Sequence, residues 1–249
     1  DAEGNRLSDG PAGMWCMQTG YGRREIDDAV SQQIMTLSYA TSFTVINNRE
    51  VELAERIAAK TPGDLNRIYF TTGGSTAVDS ALRLCQLASN IKGQPHRKHI
   101  LTREKAYHGS TYLSASITGK ERDKTAMDVK RDGIHFLSAP CHFYHPEFAA
   151  ESEFCDFLVD ELEQKILELG PENVMCFIAE PILASGGVIV PPADYHFRIW
   201  QTLKRYGITY IADEVVTAFS RLGHWFASEA VFGIVPDIII FAKGVTSGY

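Results

Sequence analysis

The feature of this 249-residue sequence that most constrains its fold is the alternation of short apolar runs with segments of helical spacing. The apolar runs are RIYFTT, KHILTR, VMCFIA, ITYIA and DIIIFA. Several are apolar throughout rather than on alternate residues, which is typical of parallel strands covered on both faces. The sequence therefore predicts an α/β fold with a three-layer α/β/α, mainly parallel sheet.

Helical spacing of apolar residues predicts the covering layers. One helix is expected from about Glu25 to Met35, and the others lie in EVELAERIAAKT, GGSTAVDSALRLCQLASN, FCDFLVDELEQKILELG and ADYHFRIWQTLKRYG. Glycine and proline after ILEL, and glycine after KRY, are helix stop signals. Ligands of such sheets bind at the carboxyl ends of the strands, so the functional residues are expected just after each apolar run.

Composition excludes some classes of protein. The net charge of -7 argues against a nucleic-acid-binding protein. No apolar run approaches the roughly 18 residues that span a bilayer, and DAEGNRLSDG lacks the apolar core of a signal peptide. Five cysteines without a CxxC pair favour a reduced, cytoplasmic compartment. Cys141, His142 and His145 could ligate a metal, but a polar surface loop is the preferred interpretation because no second ligand cluster has zinc-like spacing.

The segment after RIYF, Thr71 to Thr76, contains paired glycines and hydroxyl side chains at the start of a helix. Glycine lets a ligand approach the backbone closely, and free N–H groups at a helix N-terminus attract anions. These features make phosphate binding by this segment one interpretation. The alternative is a purely structural capping box formed by Thr76 and Asp79.

Further polar residues follow the other strands. Tyr107 and His108 come after KHILTREKA, Glu180 follows VMCFIA, and Asp213 with Glu214 follows ITYIA. Burying an acid at the end of an apolar strand is costly unless another group pairs with it, although each could instead cap a turn or face water. Convergence of several such residues on one sheet edge favours a functional site.

Lys243 follows the last apolar run, six residues before Tyr249. An apolar site disfavours the ammonium form of lysine and makes the neutral amine accessible. A neutral amine forms an imine with an aldehyde. The alternative is a lysine whose amine extends into solvent from a strand end.

Together these motifs resemble the class III (omega) aminotransferases, enzymes of pyridoxal-phosphate fold type I. The resemblance covers nearly the whole chain and is carried by YFTTGGSTAVDSALRL, YHG, AEPILASGGVIVPP, IADEVVTAFSRLGHWFASE and PDIIIFAKGVTSGY. The spacing between Asp213 and Lys243 also matches the family pattern.

The resemblance implies a role for each matched residue. Lys243 would hold the cofactor as an imine and transfer the proton, and Asp213 would keep the pyridine nitrogen protonated. The cofactor would also contact Gly74, Ser75, Tyr107, His108, Glu180 and Val215, with Tyr107 and Val215 on opposite ring faces. Two half-reactions in one site imply ping-pong kinetics.

The resemblance further implies an amine or omega-amino acid as donor and pyruvate, or another keto acid, as acceptor. Trp15 and Ser185 would line the substrate pocket, and Phe43 would reach the pocket of a second subunit in a homodimer with shared active sites. Leu183 stands where many family members have glutamine.

The expected domains are 1–30, a segment of the small domain, and 31–249, an incomplete large domain. The sequence is expected to be truncated, without a C-terminal domain, so that this piece alone could be inactive. The alternatives are a decarboxylase or aminomutase on the same scaffold, or a non-catalytic fragment. A Rossmann dehydrogenase is disfavoured because the glycine spacing is wrong.

Overall fold

One parallel sheet organises the computed structural model, which describes residues 1–249. Its strands are β1 (His99–Arg103), β2 (Ile134–Leu137), β3 (Val174–Ala179), β4 (Thr209–Asp213) and β5 (Ile238–Ile240). They lie in the order β2-β1-β3-β4-β5, and every neighbouring pair is parallel. The predicted mainly parallel sheet is confirmed.

Eight helices accompany the sheet. They are α1 (Ala12–Trp15), α2 (Arg24–Thr36), α3 (Asn48–Ala58), α4 (Gly74–Ile91), α5 (Tyr112–Ile117), α6 (Glu151–Leu169), α7 (Tyr195–Arg205) and α8 (Ala227–Ala230). All five predicted helices are present as α2, α3, α4, α6 and α7. The short elements α1, α5, α8 and β2 were not predicted, because so few residues show no clear period.

Helices cover both faces of the sheet and enclose two apolar layers. Helices α6 and α7 pack on one face through residues such as Phe154, Leu162 and Ile199. Helix α4 packs on the other face through Val78 and Leu82. Burial of each such side chain contributes about 1.5–3 kcal/mol. The three-layer α/β/α prediction is confirmed.

Two sequence predictions about strands are wrong in detail. The run RIYFTT is not a strand, because it pairs with no neighbour. Ile68 and Phe70 instead pack near Ile57 and Phe219, and a cavity of about 570 Å³ lies between this segment and β5. Strand β5 ends at Ile240 rather than continuing through Ala242.

The N-terminal segment differs from the sheet region in its burial. Helix α2 contains no buried residue. Residues 16–23 are nevertheless attached to residues 243–249: the Thr19 amide donates to Ser247 Oγ at 2.9 Å, and the Arg23 amide donates to the Tyr249 hydroxyl at 2.8 Å. The division into domains at residue 30 stays a prediction. No helix in the structure combines the length and apolar character that crossing a membrane requires.

Candidate active site

Strand register brings the predicted polar residues to one edge of the sheet. Ala179 of β3 pairs with Ala212 of β4, so Glu180 and Asp213 leave their strands side by side. Asp213 in turn pairs with Ile240 of β5, three residues before Lys243. Neighbouring strands are about 4.8 Å apart, so the three residues start from adjacent positions.

Asp213 forms a buried pair with His108. The two side chains are 3% and 0% exposed, and His108 Nδ1 lies 2.7 Å from Asp213 Oδ2. The other carboxylate oxygen, Oδ1, accepts a hydrogen bond from the Val215 amide at 3.2 Å. Bonds of this kind to an ionised acceptor are about twice as strong as neutral ones. The carboxylate is therefore held in one orientation although it is removed from water.

The other ring nitrogen of His108 is also bonded. Nε2 lies 3.3 Å from Thr102 Oγ1, and that hydroxyl donates to the Ile117 carbonyl oxygen at 3.2 Å. The His108 amide donates to Thr118 Oγ1 at 3.0 Å. The ring is thus held at both nitrogens, by Asp213 on one side and Thr102 on the other, and this fixes its orientation against the Asp213 carboxyl group.

Glu180 is the second buried acid at this edge. Its Oε1 accepts from the Tyr107 amide at 2.8 Å and its Oε2 from the Ala184 amide at 3.2 Å. Burial raises the pKa of Glu180 from 4.5 to about 7, and Asp213 adds to the rise, while His108 opposes it. Through its bonds to the amides of Tyr107 and Ala184, the Glu180 carboxyl group links the loop after β1 to the loop after β3.

The glycine-rich segment forms a close-packed cradle at the start of α4. A Cβ on Gly74 would lie 3.3 Å from the methyl groups of Val215, and one on Gly109 would lie 2.4 Å from Ser75 Oγ. The Ser110 amide donates to Ser75 Oγ at 3.1 Å. A residue larger than glycine at position 109 would therefore have to displace Ser75. No side chain caps the first N–H groups of the 18-residue helix α4, so these donors are available to an anion.

The alternative capping box is wrong. The N-cap residue is Gly73, and the Thr76 hydroxyl donates to the Gly73 carbonyl oxygen at 2.8 Å. Asp79 Oδ1 instead accepts from the Ser114 amide at 2.8 Å. The first N–H groups of α4 are thus not satisfied by the predicted cap.

Lys243 lies in a single 3₁₀ turn directly after β5, not in the strand. Its φ of 44° falls in the left-handed region, which costs a residue with a Cβ about 1–3 kcal/mol. The residue is half-buried and lines the cavity beside Thr71, Thr72 and Gly73. This turn takes the backbone out of the sheet, and Lys243 shares the cavity with the segment that precedes α4.

The predicted substrate residues occupy three different positions. Trp15 is half-buried, and Cys16 next to it approaches the Lys243 carbonyl oxygen through its sulfur at 3.7 Å. Ser185 Oγ accepts a hydrogen bond from Lys120 Nζ at 2.8 Å, and Lys120 lies over the Tyr107 ring. Phe43 is 97% exposed and contacts none of these residues. The pocket roles of all three stay predictions.

Two singled-out features have structural contacts. Glu214 is fully buried and accepts from the amides of Ala227 and Ser228 at 2.7 and 2.9 Å, so it caps α8. In the CHFYH loop, His142 bonds to the Phe148 carbonyl oxygen and His145 to Glu147. Leu183 is buried beside Ala106 and Ile189.

Comparison with known proteins identifies the family and the fold. The family model described as Aminotransferase class-III matches residues 1–249. The chain belongs to the class III aminotransferase family.

Relatives of this chain agree with it in fold and in sequence. It is 41% identical over 250 residues to the putrescine–pyruvate aminotransferase of Pseudomonas aeruginosa, and 37% identical over 252 residues to the mitochondrial gamma aminobutyrate transaminase 1 of Solanum lycopersicum. These matches cover 100% of the chain and 55% and 49% of the relatives, so the chain spans about half their length. The crystal structure of a thermostable (S)-enantioselective omega-transaminase from Thermomicrobium roseum superimposes with a TM-score of 0.97 at 40% identity, covering 100% of the chain and 56% of that structure.

Class III aminotransferases depend on pyridoxal phosphate, and the residues present fit that group. The start of α4 is open, because a Cβ on Gly73 would meet nothing within 4 Å, and no side chain caps its first N–H groups, which a phosphate needs as donors. The buried Asp213 carboxylate supplies an acceptor for a protonated ring nitrogen. The family resemblance and the fold-type prediction are confirmed.

Some residues of this region escaped the sequence analysis. Arg103 and Lys120 are buried or nearly so and bond to the predicted site residues Glu180 and Ser185, and the buried His196 bonds to the backbone of Pro181, next to Glu180. Arg103 is the last residue of β1, a position whose polarity could have indicated it. Lys120 and His196 lie in segments without any recognisable motif.

Proposed function

We propose that the protein is a pyridoxal-phosphate-dependent aminotransferase that moves an amino group from an amine or omega-amino acid to pyruvate. The observation that carries the proposal is the buried His108–Asp213 pair beside the strand that leads to Lys243, in a chain of this family. The choice of pyruvate is supported by the similarity to the putrescine–pyruvate aminotransferase.

Each predicted site residue would have a separate role in this reaction. Lys243 would hold the cofactor, and its Nζ would move a proton to and from the substrate carbon. Asp213, oriented by His108, would keep the ring nitrogen protonated. Gly74 and Ser75 would bind the phosphate, and Tyr107 and Val215 would contact the ring. When bound, pyridoxal phosphate supplies a conjugated cationic ring that stabilises the electron pair released at the substrate carbon.

Donor and acceptor react in the same site one after the other, so we expect ping-pong kinetics. Trp15 and Ser185 would form the walls against which the donor lies. The half-buried position of Trp15, one residue from the contact between Cys16 and Lys243, supports this role.

We further propose a homodimer with shared active sites. Val30, Ile34, Met35 and Phe43 are 44–97% exposed and lie on α2 and the loop that follows it. A patch of large apolar side chains of this kind marks an interaction surface. Phe43 would then contribute to the pocket of the second subunit.

The test uses the protein expressed from its complete gene with pyridoxal phosphate, a panel of amines and pyruvate. The expected result is the formation of alanine and a visible absorbance band that disappears on borohydride reduction. Lys243→Ala should lose both, while Lys98→Ala, at the opposite end of the sheet, should retain both. Release of carbon dioxide without alanine, or an absorbance band that persists in Lys243→Ala, would contradict the proposal.

A further inference from the structure

The face of the sheet opposite α4 carries two buried polar side chains that the reaction described above does not use. Arg103 ends β1 and is 0% exposed, and His196 lies in α7 and is 2% exposed. Leu101 packs against α6 and α7, and strand side chains alternate between faces, so Arg103 is on that same face. Both residues therefore lie behind the active-site edge.

The two side chains hold consecutive backbone carbonyls. Arg103 Nη2 donates a hydrogen bond to the Glu180 carbonyl oxygen, and His196 Nε2 donates to the Pro181 carbonyl oxygen at 2.8 Å. The backbone that follows β3 is thus hydrogen-bonded at two adjacent carbonyl groups. We call Arg103 and His196 the rear clamp.

The histidine of the rear clamp is itself oriented. Its Nδ1 accepts from the Tyr210 hydroxyl at 2.9 Å. Burial, reinforced by the positive charge of Arg103, lowers the pKa of His196 to about 3. The ring is therefore neutral and keeps its donor on Nε2 throughout the neutral pH range.

The arginine of the rear clamp keeps part of its charge uncompensated. Its Nε and Nη1 have no hydrogen-bond partner. A buried guanidinium without a paired carboxylate is costly, and the hydrogen bond of this one to the Glu180 carbonyl oxygen offsets part of that cost. The positive charge of Arg103 lowers the pKa of the nearby Glu180 carboxyl, against the larger rise that burial causes.

Glu180 transmits the position of the clamped turn to the active-site loop. Its carboxylate accepts from the amides of Tyr107 and Ala184, and Tyr107 is followed by His108, the partner of Asp213. A displacement of the Glu180 backbone would move the carboxylate and with it the loop that bears Tyr107.

We propose that Arg103 and His196 are positioning residues, which hold the Glu180–Pro181 backbone so that the Glu180 carboxylate fixes the Tyr107–His108 loop. The inference rests on the proposed function only in taking Tyr107 and Glu180 as contacts of the cofactor.

The first test measures amide hydrogen exchange in the protein expressed from its complete gene, as isolated. In Arg103→Met and His196→Phe, exchange at Tyr107 and Ala184 should rise about tenfold relative to amides in the middle of β3 and β4. Arg103→Lys and His196→Gln, which keep a donor, should restore part of the protection. Exchange that rises equally in all strands, or not at all at Tyr107 and Ala184, would overturn the proposal.

The chain offers a matched control and a mild variant. Arg97 makes the same kind of bonds at the amino end of the strands, to the carbonyl oxygens of Val174 and Gly207. Arg97→Met should leave exchange at Tyr107 and Ala184 unchanged.

If the stronger variants do not fold, Tyr210→Phe removes only the hydroxyl that orients His196, and exchange at Ala184 should still rise about threefold. No rise in that variant would also overturn the proposal.

The second test measures the protonation of Glu180 by its carboxylic-acid infrared band, identified as the band missing in Glu180→Gln. Arg103→Met should move the midpoint of this band to higher pH, whereas Arg103→Lys and Arg97→Met should not. An unchanged midpoint in Arg103→Met would contradict the electrostatic part of the clamp. Neither test depends on turnover, so its failure is distinguishable from a failure of the aminotransferase proposal.

Discussion

The carboxyl and amino ends of the sheet use the same kinds of polar residue in opposite environments. At the carboxyl end, Arg103, Glu180 and Asp213 are 0–4% exposed. At the amino end, Arg97 and Lys98 are only half-buried and bond to carbonyl oxygens and to Asn90. The two ends differ in how far their charged residues are desolvated and not in which residue types they contain. The cost of burying charge is therefore concentrated at the carboxyl end, where ligands bind.

The largest expected effect comes from Asp213→Asn at the carboxyl end. The amide carries no charge to keep a ring nitrogen protonated, so kcat should fall about 10³-fold, equivalent to about 4 kcal/mol. Covalent attachment of the cofactor through Lys243 should persist, as judged by mass after borohydride reduction. Near-normal turnover would show that the buried carboxylate is not needed for the chemistry.

Asp213 and Glu214 are adjacent acids at this end, and Glu214→Ala tests whether Glu214 stabilises the fold. Glu214 accepts from the amides of Ala227 and Ser228 and from the Thr217 hydroxyl, and its removal leaves these buried donors unsatisfied. We expect the free energy of unfolding in urea to fall by about 3 kcal/mol.

The control for this variant is Glu229→Gln, which changes an exposed acid on α8, the helix that Glu214 caps. Its free energy of unfolding should change by less than about 0.5 kcal/mol. Equal effects of the two substitutions would remove the distinction between a capping acid and a surface acid.

Glu180 makes the comparison dependent on pH. Its pKa in the folded protein is about 7, above the ordinary 4.5, so the folded state binds more protons between these values. Its contribution to stability is therefore fully present below pH 4.5 and is lost as the pH rises to about 7. The free energy of unfolding of the parent protein, relative to Glu180→Gln, should fall by up to about 3 kcal/mol over this window.

Taking the difference between these two proteins matters because His196 acts with the opposite sign. Its pKa is lowered from 6.5 to about 3, so its contribution is present above pH 6.5 and is lost as the pH falls towards 3. Both proteins contain His196, and its contribution cancels. A difference that does not vary with pH would show that Glu180 is not desolvated.

The smallest effect is expected at the amino end, for Lys98→Met. The ammonium of the half-buried lysine donates to the exposed Asn90 side chain at 2.8 Å. Because water replaces such a bond, the free energy of unfolding should change by less than about 0.5 kcal/mol, and cofactor affinity should not change. A large loss of stability here would erase the difference between the two ends.

Sequence reasoning predicted the site better than it predicted the edges of the fold. It placed Glu180, Asp213 and Lys243 after neighbouring strands, because an acid or a lysine at the end of an apolar run is visible in the sequence. It mistook RIYFTT for a strand, since apolar composition reports burial and not the presence of a pairing partner. It missed β2 and α5 because short elements show little periodicity.

The contacts that give the site its chemistry could not be predicted in the same way. His108 belongs to a recognised motif, but its bond to Asp213 joins residues 105 positions apart. Arg103 and His196 reach the Glu180–Pro181 turn across 77 and 15 positions. Such contacts depend on strand order and register, which local pattern does not specify.

The sequence by itself determined the layered parallel architecture, the family and the line of polar residues at the strand ends, because burial and periodicity act over a few neighbouring residues. Only the tertiary structure decided which of those residues are desolvated, which acid pairs with histidine and which merely caps a helix. The physical reason is that a charge buried by one segment must be satisfied by another, and that partner is chosen by packing across the sheet.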